Sequence, residues 1–340
     1  MAAKFNFLSR TEPMKELNFG KLIDEFLAVK KMERRSPKTI EIYSQCLAQF
    51  RKWAEKREYT KFTPDIIREY IAYLTCEKEK WDDHPMSPTG KKGLSARTVN
   101  NNIRNLRVFF NHLVNERVIS TSPMNNIKYQ TQEKETFEIF KDEDVLKLLE
   151  APNKRIYTGL RDYVMILVLC DTGCRIGELT NLKISDVDIR LRQITIRAET
   201  SKTKTARTIP ISSITVKEIE KLINYMNVQP DDYLWLTQFG ERYFADTFSK
   251  MLKKYAKKVG IKGVRVSPHT FRHFFAVKFL RQHGEPIALM RILGHTSLTM
   301  TEQYVRYAKK DLSEYHEVAS PVTSLLDKGT QRKRGSVMLK

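Results

Sequence analysis

Over most of the chain, apolar residues recur at three- and four-residue spacing, the period of helices that turn one face inward. Leu22, Ile23, Phe26 and Leu27 share one face opposite lysines and acids, predicting an amphipathic helix from Leu17 to Met32. Ser36-Pro37 then offers an N-cap and a first-turn proline to a second helix, with Ile40, Tyr43, Leu47, Phe50 and Trp53 inward. Thr63-Pro64 opens a third, carrying Ile66, Ile67, Tyr70, Ile71 and Leu74. Ser95 caps a fourth, with the stripe Val99, Ile103, Leu106, Phe110 and Leu113. The segment Glu77 to Gly93, EKEKWDDHPMSPTGKKG, is rich in Pro, Gly and charge and reads as a loop.

Between Lys128 and Thr136 only Tyr129 interrupts a polar run, which marks a boundary. The division is a short extension at 1–16, a helical domain at 17–127, a linker at 128–136, a second domain at 137–315 and a tail at 316–340. The second domain opens with a helix near Asp142 bearing Val145, Leu146, Leu148 and Leu149. The run RDYVMILVLCDTGCRIGEL predicts a strongly apolar helix that stops at Thr172-Gly173, where another begins. Alternating runs at Val187 to Arg190, Gln193 to Arg197 and Thr208 to Ile211, joined across SKTKTA, predict a small antiparallel sheet. Helices are expected again at Val216 to Tyr225 and Phe244 to Val259. The class is therefore mainly α with a small antiparallel sheet, α+β.

Charge changes this picture from a fold to a partner. With 60 Lys and Arg against 40 Asp and Glu, the 340 residues carry a formal +20, a surface that draws polyanions, double-stranded DNA above all. Charge alone leaves a merely basic protein, an RNA binder or an anionic-membrane binder open. No run of about 18 apolar residues and no N-terminal apolar core is present, so no membrane partner is expected and the location is read as cytoplasmic. The four cysteines form no CxxC pair and read as reduced core thiols. Candidate phosphate contacts are Lys30, Lys31, Arg34, Arg35 and Lys38, around the positive start of the second helix. Arg97, Asn100, Asn101, Arg104 and Arg107 share the outer face of the fourth helix, and Arg and Asn are the side chains that bond guanine and adenine edges bidentately. A solvated face accounts for the same residues.

Candidate chemistry gathers between Pro268 and Tyr304, PHTFRHFFAVKFLRQHGEPIALMRILGHTSLTMTEQY. Arg272 offers a forked guanidinium to two phosphate oxygens, His269 and His295 bond oxygens or move protons, and Tyr304, nine residues after His295, supplies a nucleophile. Upstream, Arg175 sits at the helix break, where a charge beside a buried helix requires an anion or an acid; Glu178 is the local acid. Lys202 and Lys204 lie on the SKTKTA hairpin, where a lysine is otherwise edge protection.

Four motifs in this order, TGCRIGEL, SKTKTARTIP, HTFRH and LGHTSLTMTEQY, resemble those of the tyrosine recombinases, or phage-type integrases, which include the bacterial Xer recombinases. The resemblance covers most of the chain. RRSPKTIEIY and LSARTVNNNIRNLRVFF look like the family's core-site DNA-binding domain, and residues 137–315 like its catalytic domain, the two expected to form a C-shaped clamp on DNA. It places the family's two arginines on Arg175 and Arg272, its histidines on His269 and His295, and its nucleophile on Tyr304. The hairpin lysine falls on Lys202, eight residues before Pro210, with Lys204 the less favoured neighbour and a DNA contact.

The chemistry needs these residue types. Guanidiniums stabilise charge that builds on the non-bridging oxygens, a lysine protonates the departing 5′-oxygen, and His269 is the nearest candidate to take the phenol's proton. No metal or other cofactor is implied, because arginines occupy a metal's electrostatic position. The resemblance further implies a 3′-phosphotyrosine, a Holliday junction, paired core sites and a homotetramer on DNA formed from monomers or weak dimers. An accessory directionality protein is a candidate partner. The tail, with Val322, Leu325 and Leu326, is a candidate subunit-exchange segment. The short extension leaves no room for an arm-site-binding domain. Integrating or excising a mobile element and resolving multimers remain alternatives. A type IB topoisomerase and a catalytically silent DNA-binding regulator are the rival readings.

Overall fold

The computed structural model describes residues 18–79, 90–132, 137–226, 228–282, 284–308, 316, 320–322 and 325. Helices dominate, with one small antiparallel sheet, and the chain divides into two units, Met1–Glu135 and Thr136–Lys340. The expected extension at 1–16, the middle of the 77–93 loop and most of the 316–340 tail, Leu326 included, lie outside the described residues.

Among its described residues the first unit holds four α-helices, α1 (Phe19–Met32), α2 (Pro37–Glu55), α3 (Pro64–Ala72) and α4 (Ala96–Asn115). Each starts where a short polar side chain closes a free backbone N–H. Asn18 accepts from Lys21, Ser36 from Thr39, Thr63 from Ile66 and Ser95 from Thr98. A π-helical turn, Tyr73–Glu77, extends α3. The helices bury an aromatic core in which Phe50 meets Tyr70 edge-on at 4.8 Å and Phe26 meets Phe109 at 5.3 Å, the arrangement ring quadrupoles favour.

In the second unit α5 (Asp142–Glu150) leads into α6 (Tyr157–Thr172) and the single turn α7 (Ile176–Leu179). Of the apolar residues assigned to α5, Val145 and Leu148 are buried and Leu149 packs half-buried against the same core, but Leu146 is exposed. Helix α6 is buried on nearly all sides, which explains its unbroken apolar run. Its two buried charged residues are internally satisfied, Arg161 pairing with Asp162 at 2.8 Å and Asp162 accepting from the Tyr255 hydroxyl at 2.8 Å. Strands β1 (Val187–Asp188), β2 (Gln193–Ile196) and β3 (Arg207–Pro210) pair antiparallel in that order, with Ile194 opposite Ile209. They are shorter than the alternation suggested, because Leu191 and its neighbours turn out to solvent.

Helices α8 (Ser213–Asn224), α9 (Ala245–Lys258), α10 (Pro268–Arg281), α11 (Pro286–Leu293) and α12 (Thr299–Ala308) complete the unit. α10 packs on α6 and on α12, so it is a core helix without a single apolar face. Ala276, Val277, Leu280, Leu289 and Leu293 form a small core of their own around Tyr304 and Ala308. Cys46 and Cys174 are buried, Cys170 half-buried and Cys76 exposed, so the expectation of four core thiols is corrected at Cys76.

Candidate active site

Helix α6 ends on Gly173 in the left-handed conformation, φ +58°, where a Cβ would stand 2.5 Å from the Phe275 ring. That stop leaves the Gly173 carbonyl accepting from Arg272 Nη1 at 2.9 Å and places Arg175 at the N-cap of α7. Helix α11 ends the same way on Gly294, φ +64°, leaving its last carbonyls without helical donors. Arg272 Nη2 donates to the Leu293 carbonyl at 2.8 Å, and Arg175 Nη1 reaches that same oxygen at 3.5 Å. Arg175 Nη2 donates to the Gly294 carbonyl at 3.4 Å. Two guanidiniums thus converge on one helix end, whose partial negative charge favours them there. Arg272 is 3% exposed, and burial, then the neighbouring charge of Arg175, push it down to about 10, so it keeps its charge at neutral pH.

A third arginine, to which the motifs assigned no role, completes the frame. Arg207 on β3 grips Glu178 with both terminal nitrogens, at 3.1 and 2.7 Å, and donates Nε to the Ile292 carbonyl at 2.9 Å. Glu178 also accepts from Arg175 Nη1 at 3.0 Å and from the Arg175 backbone N–H at 2.9 Å. Burial pushes the Glu178 carboxyl up, but bonds and charge from Arg207 and then Arg175 outweigh it and hold the group below its ordinary range. The signal was present in the strand period: Arg207 shares the inward face of β3 with buried Ile209, and a charge at such a position demands a partner.

Tyr304 lies on α12 and is 1% exposed. Burial raises its pKa, with Arg272 and then Arg175 pulling it partly back, so the resting phenol holds its proton. At its hydroxyl stands His273, Nδ1 to Oη 3.0 Å, a residue of the HTFRH motif for which the sequence suggested no role. His269, expected to take the phenol's proton, is exposed one turn earlier and meets the His273 ring edge-on at 4.3 Å. The His295 ring runs parallel to Tyr304 at 6.1 Å and its Nδ1 meets Thr301 Oγ1 at 2.9 Å. Burial, then Arg272, Arg175 and Arg207, push His295 down to about 4, leaving it neutral and able to donate one N–H without bringing a charge.

Arg175, Arg272, His295 and Tyr304 are therefore brought together. Lys202 and Lys204 lie exposed in the β2–β3 connection, and Lys204 adopts φ +53° there. In the first unit, Lys31 and Arg34 are exposed, Lys30 and Arg35 pair with Glu33, and Lys38 pairs with Glu41. Arg97 is exposed, and Arg104 bonds Asn101 at 3.2 Å. Asn100 departs from its expected role at a base edge. Its amide donates to the Gln130 carbonyl at 2.8 Å and accepts from the Gln130 N–H at 2.8 Å, so both ends bond the backbone. Arg107 likewise donates to the Ile127 carbonyl.

This constellation can hold an anionic diester between arginines beside a shielded phenol. Residues 138–311, just over half of the chain, match the phage integrase family, and residues 22–120 match the phage integrase N-terminal SAM-like domain. The chain belongs to the phage integrase family. As a tyrosine recombinase it is a DNA strand-transferring enzyme. It is 28% identical to tyrosine recombinase XerC of Leptospira interrogans over 87% of this chain and 92% of that protein. It is 29% identical to XerD of Pseudomonas putida, over 88% and 97%. Among solved structures, the fold is similar to XerH site-specific recombinase bound to palindromic difH substrate, with TM-score 0.66, 20% identity and 90% and 85% of the two chains covered. It is also similar to the Tn1549 transposon integrase in complex with transposon right end DNA, with TM-score 0.65, 17% identity and 93% and 100% covered. No helix among the described residues is long and apolar enough to cross a membrane.

Proposed function

We propose that this recombinase cuts and rejoins DNA at defined core sites through a 3′-phosphotyrosine on Tyr304. The observation that carries the reading is the pair of guanidiniums sharing the Leu293 carbonyl beside a buried tyrosine. Arg175 and Arg272 bind the two non-bridging oxygens, and their fork suits the charge that grows there in the transition state. His295 donates to the same phosphate. Lys202 gives its proton to the departing 5′-oxygen, reaching in from the exposed hairpin when DNA is bound. The ester conserves the bond energy, so a 5′-hydroxyl from a second duplex reverses the step without ATP. Two such exchanges pass through a Holliday junction and require four protomers on paired sites, assembled from monomers or weak dimers. The outcome is integration and excision of a mobile element or the resolution of multimers, with an accessory protein setting direction.

The first unit is the core-site binding domain, residues 17–127, joined through 128–136 to a catalytic domain at 137–315. Lys31, Arg34, Arg35 and Lys38 approach phosphates, while Arg97, Asn101 and Arg104 face base edges. The protein works in the cytoplasm, where its DNA is. A nicked suicide duplex bearing the site, incubated with the protein, should accumulate a covalent adduct that resists denaturing electrophoresis. Tyr304→Phe should abolish that band while retaining DNA binding; an adduct that persists in Tyr304→Phe would remove Tyr304 as the nucleophile.

A further inference from the structure

We propose that His273 is the base that takes the Tyr304 hydroxyl proton during cleavage and returns it during rejoining. The inference rests on Tyr304 being the nucleophile. Its ground is geometric: Nδ1 of His273 stands 3.0 Å from Tyr304 Oη, within the range for direct proton transfer. The ring is not free to leave it. Phe137 stacks flat on His273, centroids 4.4 Å apart and planes 15° apart, and meets Tyr304 edge-on at 5.3 Å. Tyr307 backs Phe137 from its other side at 4.5 Å, and His269 closes the remaining edge at 4.3 Å. An aromatic cage thus fixes the imidazole against the phenol. A neutral imidazole protonated on Nε2 presents Nδ1 as the acceptor.

Protons and electron pairs balance. As Oη bonds to phosphorus, its proton moves to His273 Nδ1. The bond from phosphorus to O5′ breaks, its electron pair stays on O5′, and the proton from Lys202 completes the 5′-hydroxyl. Rejoining runs the same transfers backwards, the His273 imidazolium protonating Oη as tyrosine leaves.

The groups facing His273 are His269 and Arg272 on its own helix and the Tyr304 phenol on α12, with the Phe137 ring stacked on it and Tyr307 behind that ring. Burial, then His269, then Arg272, push His273 down to about 4. In the protein alone the imidazole is therefore a poor base. A DNA phosphate seated on Arg272 offsets the last of these three effects and favours an imidazolium beside the new ester.

The test is single-turnover cleavage of the nicked suicide duplex at saturating DNA, as a function of pH, in wild type, His273→Gln and His269→Gln. An amide at 273 still fills the cage and still meets the phenol but accepts no proton. Wild-type cleavage should fall as pH drops through an acidic limb lying between about 4 and 6.5. His273→Gln should bind DNA as wild type does, cleave at least about 10²-fold more slowly and lose that limb. His269→Gln should retain the limb. Installing a difluorotyrosine of lower phenol pKa at 304 should restore cleavage in His273→Gln and leave wild type nearly unchanged. Wild-type rates in His273→Gln, a retained limb, or failure of the acidified phenol to rescue would overturn the inference. His273→Asn serves the same comparison if the glutamine variant does not bind DNA. An adduct in Tyr304→Phe would instead defeat the nucleophile assignment, a separate failure from normal cleavage by His273→Gln.

Discussion

Arg272 is held by backbone carbonyls, donating to those of Gly173 and Leu293. Carbonyls fix a guanidinium without cancelling its charge, so the buried cation is held in place and still seeks an anion. Arg175 shares Glu178 with Arg207, so part of its charge is already met. Arg272→Ala should therefore lower trapped-adduct formation by about 10² to 10³-fold, the usual loss for one preorganised oxyanion donor, with gel-shift affinity little changed. Equal losses in cleavage and in binding would make Arg272 a structural residue instead. At this scale the gathering of Arg175, Arg272, His295 and Tyr304 was legible, because each stands inside a motif whose chemistry demands its type. His273 was not, since it follows Arg272 directly and nothing in HTFRH says which histidine faces a helix some thirty positions later. Arg207 was missed because the expected strand began at Thr208, one residue too late to put it on the inward face with Ile209. The bonds of Asn100 to Gln130 were not legible, because a helix period assigns a face, whereas the Gln130 backbone that meets this amide comes from a segment without period.

Among the elements, helices announced themselves through caps and apolar stripes, and Ser36, Thr63 and Ser95 cap as their positions suggested. Strand ends were less visible, since two to four residues carry too little alternation to mark a boundary. The arrangement of α11 against β3 was not visible at all. It depends on Gly294, whose left-handed φ of +64° ends the helix and whose missing side chain lets the Arg207 guanidinium pass, a Cβ there lying 2.8 Å from Nη1. Gly294→Ala should destabilise the protein by about 1 kcal/mol from backbone strain alone, and more if Arg207 is displaced. Thermal unfolding measures the first effect. The second shows itself as a drop in cleavage beyond what the stability change explains, because Arg207 ties Glu178, and through it Arg175, to the strand. An alanine variant with unchanged melting and unchanged cleavage would show that this approach matters to neither.

For the whole molecule, a formal +20 favours electrostatic attraction to DNA. Arg34 and Arg35 test where that attraction acts. Arg34 ends α1 in the left-handed conformation, φ +55°, with Arg35 N–H bonded back to the Lys30 carbonyl, an arrangement a glycine satisfies better. Arg34→Gly combined with Arg35→Ala should therefore spare or raise stability, weaken DNA binding and lower the slope of log K against log salt by about 1 to 2, roughly one unit for each phosphate no longer neutralised. An unchanged slope would place the phosphate-binding residues elsewhere on the surface. The polar run before residue 137 lies where the chain divides into two units, and the charge pointed to a polyanion without saying which, but which basic residues are tied up in local ion pairs was not legible. Lys30, Arg35 and Lys38 each hold a nearby glutamate, which composition cannot reveal.

If Tyr304 carries the cut strand as proposed, its seclusion also bears on the fate of that strand. An aryl phosphate ester in open solvent is exposed to hydrolysis, and each ester destroyed that way would leave a broken DNA arm with no route home. A linkage formed at a position 1% exposed, roofed by Phe137 and walled by the α10 and α11 side chains, meets almost no bulk water. On the proposed mechanism the hydroxyl of a second DNA end is then the nucleophile that meets the ester, so the cut end can wait for its new partner.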